Sequence, residues 1–195
     1  MRLAAVVLLV VGLPLHAAPA PKDKAPLYHA TAVGAKLVYE VAAGGQVAQQ
    51  TDTVVAADVK DGAVVISLRQ TGTRIETLVR RVAVSGAGLV AVSVGAHTYD
   101  PPDALLRLPA RAGDAWERVP TKKECGISRF HSRVVGEEDV VVPAGKFKAV
   151  RVDVTTVVFG TELKASNWYA PGVGLVKQTN GDHFLMVLKS FTPGK

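Results

Sequence analysis

The sequence predicts a mainly β domain with at most short helices. Three observations carry that expectation. Val and Ala dominate while long Leu, Glu and Lys stretches at helical period are missing, and Val, being β-branched, sits easily on a pleated surface. Gly-Gly, Asp-Gly and Asn-Gly signals separate short apolar stretches, as hairpins require. The run 138–178 sets two strand-and-turn signatures in tandem, polar residues alternating with Val in the first and Trp168-Tyr169 entering the second.

The chain of 195 residues opens on Met1-Arg2 and an almost wholly apolar stretch, 3–13. A charged start followed by an apolar run about half the length of a membrane span describes a signal peptide, 1–18. Pro14 ends the run, and small residues place cleavage after Ala17 or Ala18, because a cut after Ala20 would leave Pro21 immediately downstream. No Cys follows this stretch, which closes the lipoprotein route. Residues 19–27 read as a Pro, Ala and Lys linker, and 28–195 as a single β-rich domain large enough to bury a core. Charged or turn residues interrupt every later Val-rich segment, so no transmembrane segment is expected after signal cleavage. The expected location is periplasmic or extracellular.

The elements follow in order. A strand at 37–41 opens the domain, and Gly44-Gly45 turns it into 46–51. Strands at 54–59 and 63–68 flank Lys60-Asp61-Gly62, whose Asp-Gly supplies the positive φ of a tight turn. The next pair, 74–84 and 89–94, is joined through 85–88; Ile75, Thr77 and Val79 share one parity and Arg74, Glu76 and Arg80 the other, so one face of this strand is expected to be wet. Asp100-Pro101-Pro102-Asp103 is expected to break the sheet and 104–108 to form one helical turn capped by Asp103. Strands are then expected at 115–118, 127–135, 139–142, 148–159, 163–169, 174–179 and 183–191, the last two joined by Asn180-Gly181 in a type I′ turn. In the last strand Phe184, Leu185, Met186, Val187 and Leu188 are apolar on both parities. It is therefore expected to be covered on both faces, by a second sheet, a closed barrel wall, or a helix and loop.

Chemistry-bearing patterns are sparse. The charge balance, 23 basic against 17 acidic residues, leaves a net +6, but Arg80-Arg81 and Lys122-Lys123 are the only basic doublets. Attraction to anionic lipid or polysaccharide fits an exported chain of this kind, whereas no nucleic acid is expected as a partner. The single cysteine, Cys125, excludes an intramolecular disulfide and leaves its role open between reactive thiol, dimer cross-link and inert thiol. Gly86-Ala87-Gly88-Leu89-Val90-Ala91 matches the dinucleotide pattern, yet Val90, Val92 and Val94 at period two make it a strand-to-strand turn. His16, His29, His97, His131 and His183 show no metal-ligand spacing, no Gly-x-Ser-x-Gly elbow exists, and Glu137-Glu138-Asp139 reads as a solvated turn. The expectation is thus a non-enzymatic protein with no catalytic residue, metal or cofactor. The aromatic residues expected nearest a ligand cavity are Tyr39, Trp116 and Trp168, with Trp168 and Tyr169 facing opposite sides of their strand.

The segment 142–152, Val-Pro-Ala-Gly-Lys-Phe-Lys-Ala-Val-Arg-Val, followed by Trp-Tyr-Ala-Pro-Gly-Val-Gly-Leu-Val-Lys at 168–177 and preceded by Val-Gly-x-x-Leu-Val-Tyr at 33–39, resembles exported bacterial domains of unknown function of the TapB type. These are related in outline to the lipoprotein-carrier fold of LolA and LppX. The resemblance implies a strongly curved antiparallel sheet forming a half-barrel or barrel-like domain, an incomplete barrel whose concave face holds an apolar ligand or lipid; this chain departs from it in lacking cover helices. It implies no catalytic residue. The reading is an exported envelope protein that binds an apolar ligand or an envelope protein partner, the alternative being a structural or interaction module without a small ligand.

Overall fold

Val-rich alternation punctuated by glycine turns resolves into twelve strands and, among the described residues, no helix. The computed structural model describes residues 26–72, 77–121, 124 and 126–195. The first half comprises β1 (Lys36–Ala43), β2 (Gln46–Lys60), β3 (Ala63–Thr71), β4 (Leu78–Ser85), β5 (Gly88–Val94) and β6 (His97–Arg107). The second comprises β7 (Ala115–Arg118), β8 (Ile127–Val142), β9 (Gly145–Val158), β10 (Thr161–Ala170), β11 (Gly174–Thr179) and β12 (Phe184–Thr192). Their order in the sheet is β6-β5-β4-β3-β2-β1-β12-β11-β10-β9-β8-β7. Two meanders therefore join where β1 pairs with β12, and the end strands β6 and β7 are brought back together, nearly closing the sheet into a barrel.

Residues paired across neighbouring strands point to the same face of a sheet. Val54 lies opposite Leu68, Ile66 opposite Val82, Val84 opposite Leu89, and Leu89 opposite Leu106. This series faces inward and, with Trp116, Val134, Val152 and Tyr169, makes the main core. Tyr28, Ala30 and Ala35, on the segment before β1, pack into it. A second cluster gathers Leu37, Val140, Val142, Trp168, Val176, Met186 and Leu188. It forms because the long β8–β9 hairpin shifts register between Val134 and Gly136, and its tip reaches β12, where the Ala144 amide donates to the Leu188 carbonyl at 3.0 Å. Leu37, Ile66, Leu89, Leu106 and Leu188 are fully buried, each a contribution of roughly 1.5–3 kcal/mol.

Several local expectations are corrected. Residues 104–108 do not form a helical turn: Leu106 and Ala104 pair with Leu89 and Val90, so strand pairing overrides local helix propensity. Asp100-Pro101-Pro102-Asp103 does not end a strand but lies within β6, at the edge of the sheet order, where 99–102 have no partner on β5. The expected strand 74–84 begins at Leu78, with 73–76 outside the described residues; one face is wet, the one bearing Val79 and Arg81, while Arg80 shares the inward parity of Val82. Asn180-Gly181 is not a two-residue type I′ turn, since only Gly181 has positive φ and the loop spans 180–183; the two-residue turns with both φ positive are Gly44-Gly45, Asp61-Gly62 and Phe159-Gly160. The last strand is fully covered on one face and partly on the other, where Val187 is half-buried against the second cluster. Met186 and Leu188 are buried but Leu185 is 39% exposed, because a barrel wall has a solvent side. The expected signal peptide, most of the linker and Cys125 lie outside the described residues.

Candidate functional site

The inward face changes character along the barrel. Toward the loops at 85–88 and 107–115 it is filled with the Val, Leu, Ile and aromatic side chains of the main core. Toward the opposite hairpin ends it carries Gln50, Asp52, Arg80, Asp103 and Asn167, placed inward by pairing with Tyr39, Leu37, Leu68, Ala91 and Val152 respectively. Gln50, Asp52 and Asn167 are buried there. Buried polar groups are costly unless matched, so their partners define the site.

A cavity of 190 Å³ lies among these residues, walled by Tyr39, Leu68, Val82, Leu89, Leu105, Leu175 and Met186 and bearing the polar groups of His29, Asp52, Arg80, Asn167, Tyr169 and Gln178. Both carboxylate oxygens of Asp52 are occupied: Gln50 Nε2 donates to Oδ1 at 3.0 Å and Arg80 Nη2 donates to Oδ2. Arg80 Nε is buried with no partner. The Tyr39 hydroxyl donates to the Leu175 carbonyl at 2.9 Å. His29 Nδ1 is 2.8 Å from the Ala30 carbonyl, which can only accept, so the ring proton sits on Nδ1 and Nε2 is an acceptor. Burial holds His29 below the usual imidazole range, keeping it neutral. Burial first, and then the Asp52 charge for Tyr39 and the Asp103 charge for Tyr169, pushes both phenols above their usual range. Gly174 closes this end, because a Cβ there would lie 2.8 Å from His29 Cδ2.

A second pocket of 410 Å³ is lined by Val94, His97, Tyr99, Asp103, Glu124, Ile127 and Phe130. Beside it the Arg118 guanidinium lies 5.0 Å from the ring centres of both Tyr99 and Phe130. Arg118 is also bonded to Glu124 through both terminal nitrogens, Nη1 to Oε2 at 2.9 Å and Nη2 to Oε1, and its Nε donates to the Pro101 carbonyl at 2.7 Å. His97 Nε2 approaches Glu124 Oε1 to 3.3 Å without hydrogen-bond alignment. Burial raises the carboxyl of Asp103 and the phenol of Tyr99. On the outer face a hollow at Arg151, Asp153 and Ser166 has its polar groups joined to one another: Arg151 Nε donates to Asp153 at 2.8 Å and Ser166 Oγ at 2.7 Å.

Of the three aromatic residues expected near a ligand, Tyr39 lines the 190 Å³ cavity. Trp116 stands in the main core and donates from Nε1 to the Ala104 carbonyl at 2.8 Å, with Arg107 5.3 Å above its ring. Trp168 belongs to the second cluster, donates to Glu138, and is overlain by Arg151 at 5.3 Å and Lys177 at 4.7 Å. Tyr169 falls in the main core, so the two neighbours do face opposite ways. Glu137, Glu138 and Asp139 lie within β8, not in a turn, and pair with Lys148 at 3.2 Å, Trp168, and Lys146 at 2.8 Å. Sequence reasoning missed Asp52, Arg80, Asn167 and the Arg118–Glu124 pair. The one available signal was parity, since Gln50, Asp52 and Val54 alternate on the same side of β2. Among the described residues no three His, Cys, Asp or Glu side chains are grouped to hold a metal.

No curated protein matches the chain. Its fold is similar to that of a candidate exported protein with YmcC-like fold from Bacteroides fragilis NCTC 9343, at 15% identity and TM-score 0.54 over 86% of this chain and 99% of that one. A candidate lipoprotein from Parabacteroides distasonis ATCC 8503 is similar at 12% identity and TM-score 0.49 over 87% and 100%. At these identities the likeness is one of fold. The family described as DUF3108-like matches residues 112–183, from just before β7 through the last hairpin loop.

Proposed function

We propose that this chain is a non-enzymatic protein exported to the cell envelope, and that its barrel interior binds a small ligand with an apolar part. One observation carries the reading. Inside the barrel an apolar wall of Leu68, Val82, Leu89, Leu105, Leu175 and Met186 surrounds a cavity that the polar residues Arg80, Asn167 and Gln178 also line. Ligand sites have this make-up: a mainly apolar hollow with a few placed polar groups. Export is supported by the signal pattern at 1–18 and agrees with the description of the Bacteroides fragilis neighbour. The resemblance to TapB-type and LolA-type domains favours an apolar or lipid ligand, and the polar half of the lumen narrows it to one with a polar head. A second reading, an interaction module for an envelope protein, is favoured by Phe159, which is 84% exposed on a turn with φ of 47°.

The test is extraction of the purified exported protein with organic solvent, followed by mass spectrometry of the extract. A stoichiometric amphipathic molecule is expected. An empty extract, together with no protection of Leu105 and Leu175 amides from exchange on incubation with that solvent-extractable fraction of the cell envelope, would sink the reading.

A further inference from the structure

The 190 Å³ cavity holds more donors than the protein uses. Asp52 accepts from Gln50 at Oδ1 and from Arg80 at Oδ2, so each of its oxygens has a partner within the protein. Arg80 Nε has no partner. Asn167 and Gln178 stand directly opposite each other on β10 and β11, which places two amide side chains side by side on the cavity wall. Tyr169 lines the same cavity as Arg80. A guanidinium edge, a phenol and two amides presented together are a donor set for a planar oxyanion, and charge-assisted bonds of this kind are the strong ones. The cavity of 190 Å³ takes a small head group with a short aliphatic chain against its apolar wall.

We infer that the cavity takes a short-chain aliphatic carboxylate, its head group on Arg80, Tyr169 and the Asn167–Gln178 pair and its chain against Leu68, Leu105 and Met186. The inference rests on the lumen being a ligand site and names the class of that ligand. The Arg80–Asp52 pair is the device that makes it workable. Asp52 fixes the guanidinium through Nη2 and holds Arg80 on the cavity wall.

The experiment is isothermal calorimetry of the exported protein with hexanoate, 1-hexanol and hexylamine, which share a chain and differ in head group. Hexanoate is expected to bind at least ~10-fold more tightly than 1-hexanol, with hexylamine weakest. Removing Arg80 alone would strand a buried carboxylate, so the decisive variant is the double Asp52→Asn, Arg80→Gln, which is expected to bring hexanoate down to the level of hexanol. Tyr169→Phe is expected to weaken hexanoate about 5-fold and to leave hexanol unchanged. Equal or tighter binding of 1-hexanol, or discrimination that survives the double variant, would overturn the carboxylate while leaving a lumen that binds ligand. Binding of none of the three overturns the inference, and an empty solvent extract beside it removes the lumen reading as well.

Discussion

Trp116 on β7 donates its indole N–H to the carbonyl of Ala104 on β6 at 2.8 Å, and with it the two ends of a twelve-stranded sheet are stitched together by a side chain. Arg118, two residues on, repeats the device by donating to the Pro101 carbonyl at 2.7 Å. Thr121 adds a third link, from both its amide and its hydroxyl to the Asp100 carbonyl. Every other neighbouring pair in the sheet order is held by a backbone ladder. The prolines at 101 and 102 lack the amide hydrogens that a ladder on β6 would need, so donors supplied by β7 side chains replace it.

Trp116→Phe retains most of the ring and deletes the donor. We expect a loss of about 1 kcal/mol in urea unfolding, with faster amide exchange confined to β6 and β7. Unchanged exchange at the seam would show that the indole bond does not hold it.

Glu124→Gln leaves the buried Arg118 guanidinium without its counter-charge. The expected cost is about 3–5 kcal/mol, while the double replacement Arg118→Met, Glu124→Leu is expected to cost less than that single change. Equal effects would mean that the pair's charge balance is not what matters at this end of the barrel.

Gly88→Ala is expected to destabilise by roughly 2–4 kcal/mol, since φ there is 128° and a Cβ would stand 1.9 Å from the Leu106 carbonyl oxygen. Gly86→Ala, in the same Gly-Ala-Gly turn, meets open space and is expected to be nearly neutral. The contrast, read from paired denaturation curves, separates a backbone-packing role from the nucleotide loop that the motif imitates.

His29 predicts a pH dependence. Burial lowers its pKa in the folded state below the ordinary 6.5, so the unfolded chain binds the proton first as pH falls. Its contribution is complete above pH 6.5 and is lost on acidification below that value, at no more than about 1.4 kcal/mol per pH unit until the folded-state pKa is passed. Urea midpoints between pH 8 and pH 5 for wild type and His29→Gln should diverge in that window. Taking the difference removes other groups, such as Asp103, whose raised pKa acts in the opposite sense. Parallel curves would contradict the assignment of a buried neutral imidazole.

Much of the fold was legible because β structure writes itself locally. Val on alternate positions and paired glycines at 44 and 45 need no knowledge of distant neighbours, and the hairpin at Asp61-Gly62 follows from two residues that tolerate positive φ. The errors fall where a partner decides. Ala104 and Leu106 have helical propensity but lie against β5, and Arg80 alternates with Val79 in a way that does not say which of them meets water. The candidate site was less legible than the fold. Tyr39 lines the cavity, whereas the large indoles of Trp116 and Trp168 stand at the seam and in the second cluster.

The amino-acid sequence by itself determined the β class and most strand positions, because pleat period and turn chemistry are properties of a few adjacent residues. Tertiary structure alone decided that β6 returns to β7, that the inward face splits into an apolar and a polar half, and that Asp52 meets Arg80 28 positions further along the chain. That meeting depends on the register of β2 on β3 and of β3 on β4, and a shift of one residue at either ladder would turn one of the two side chains out to solvent.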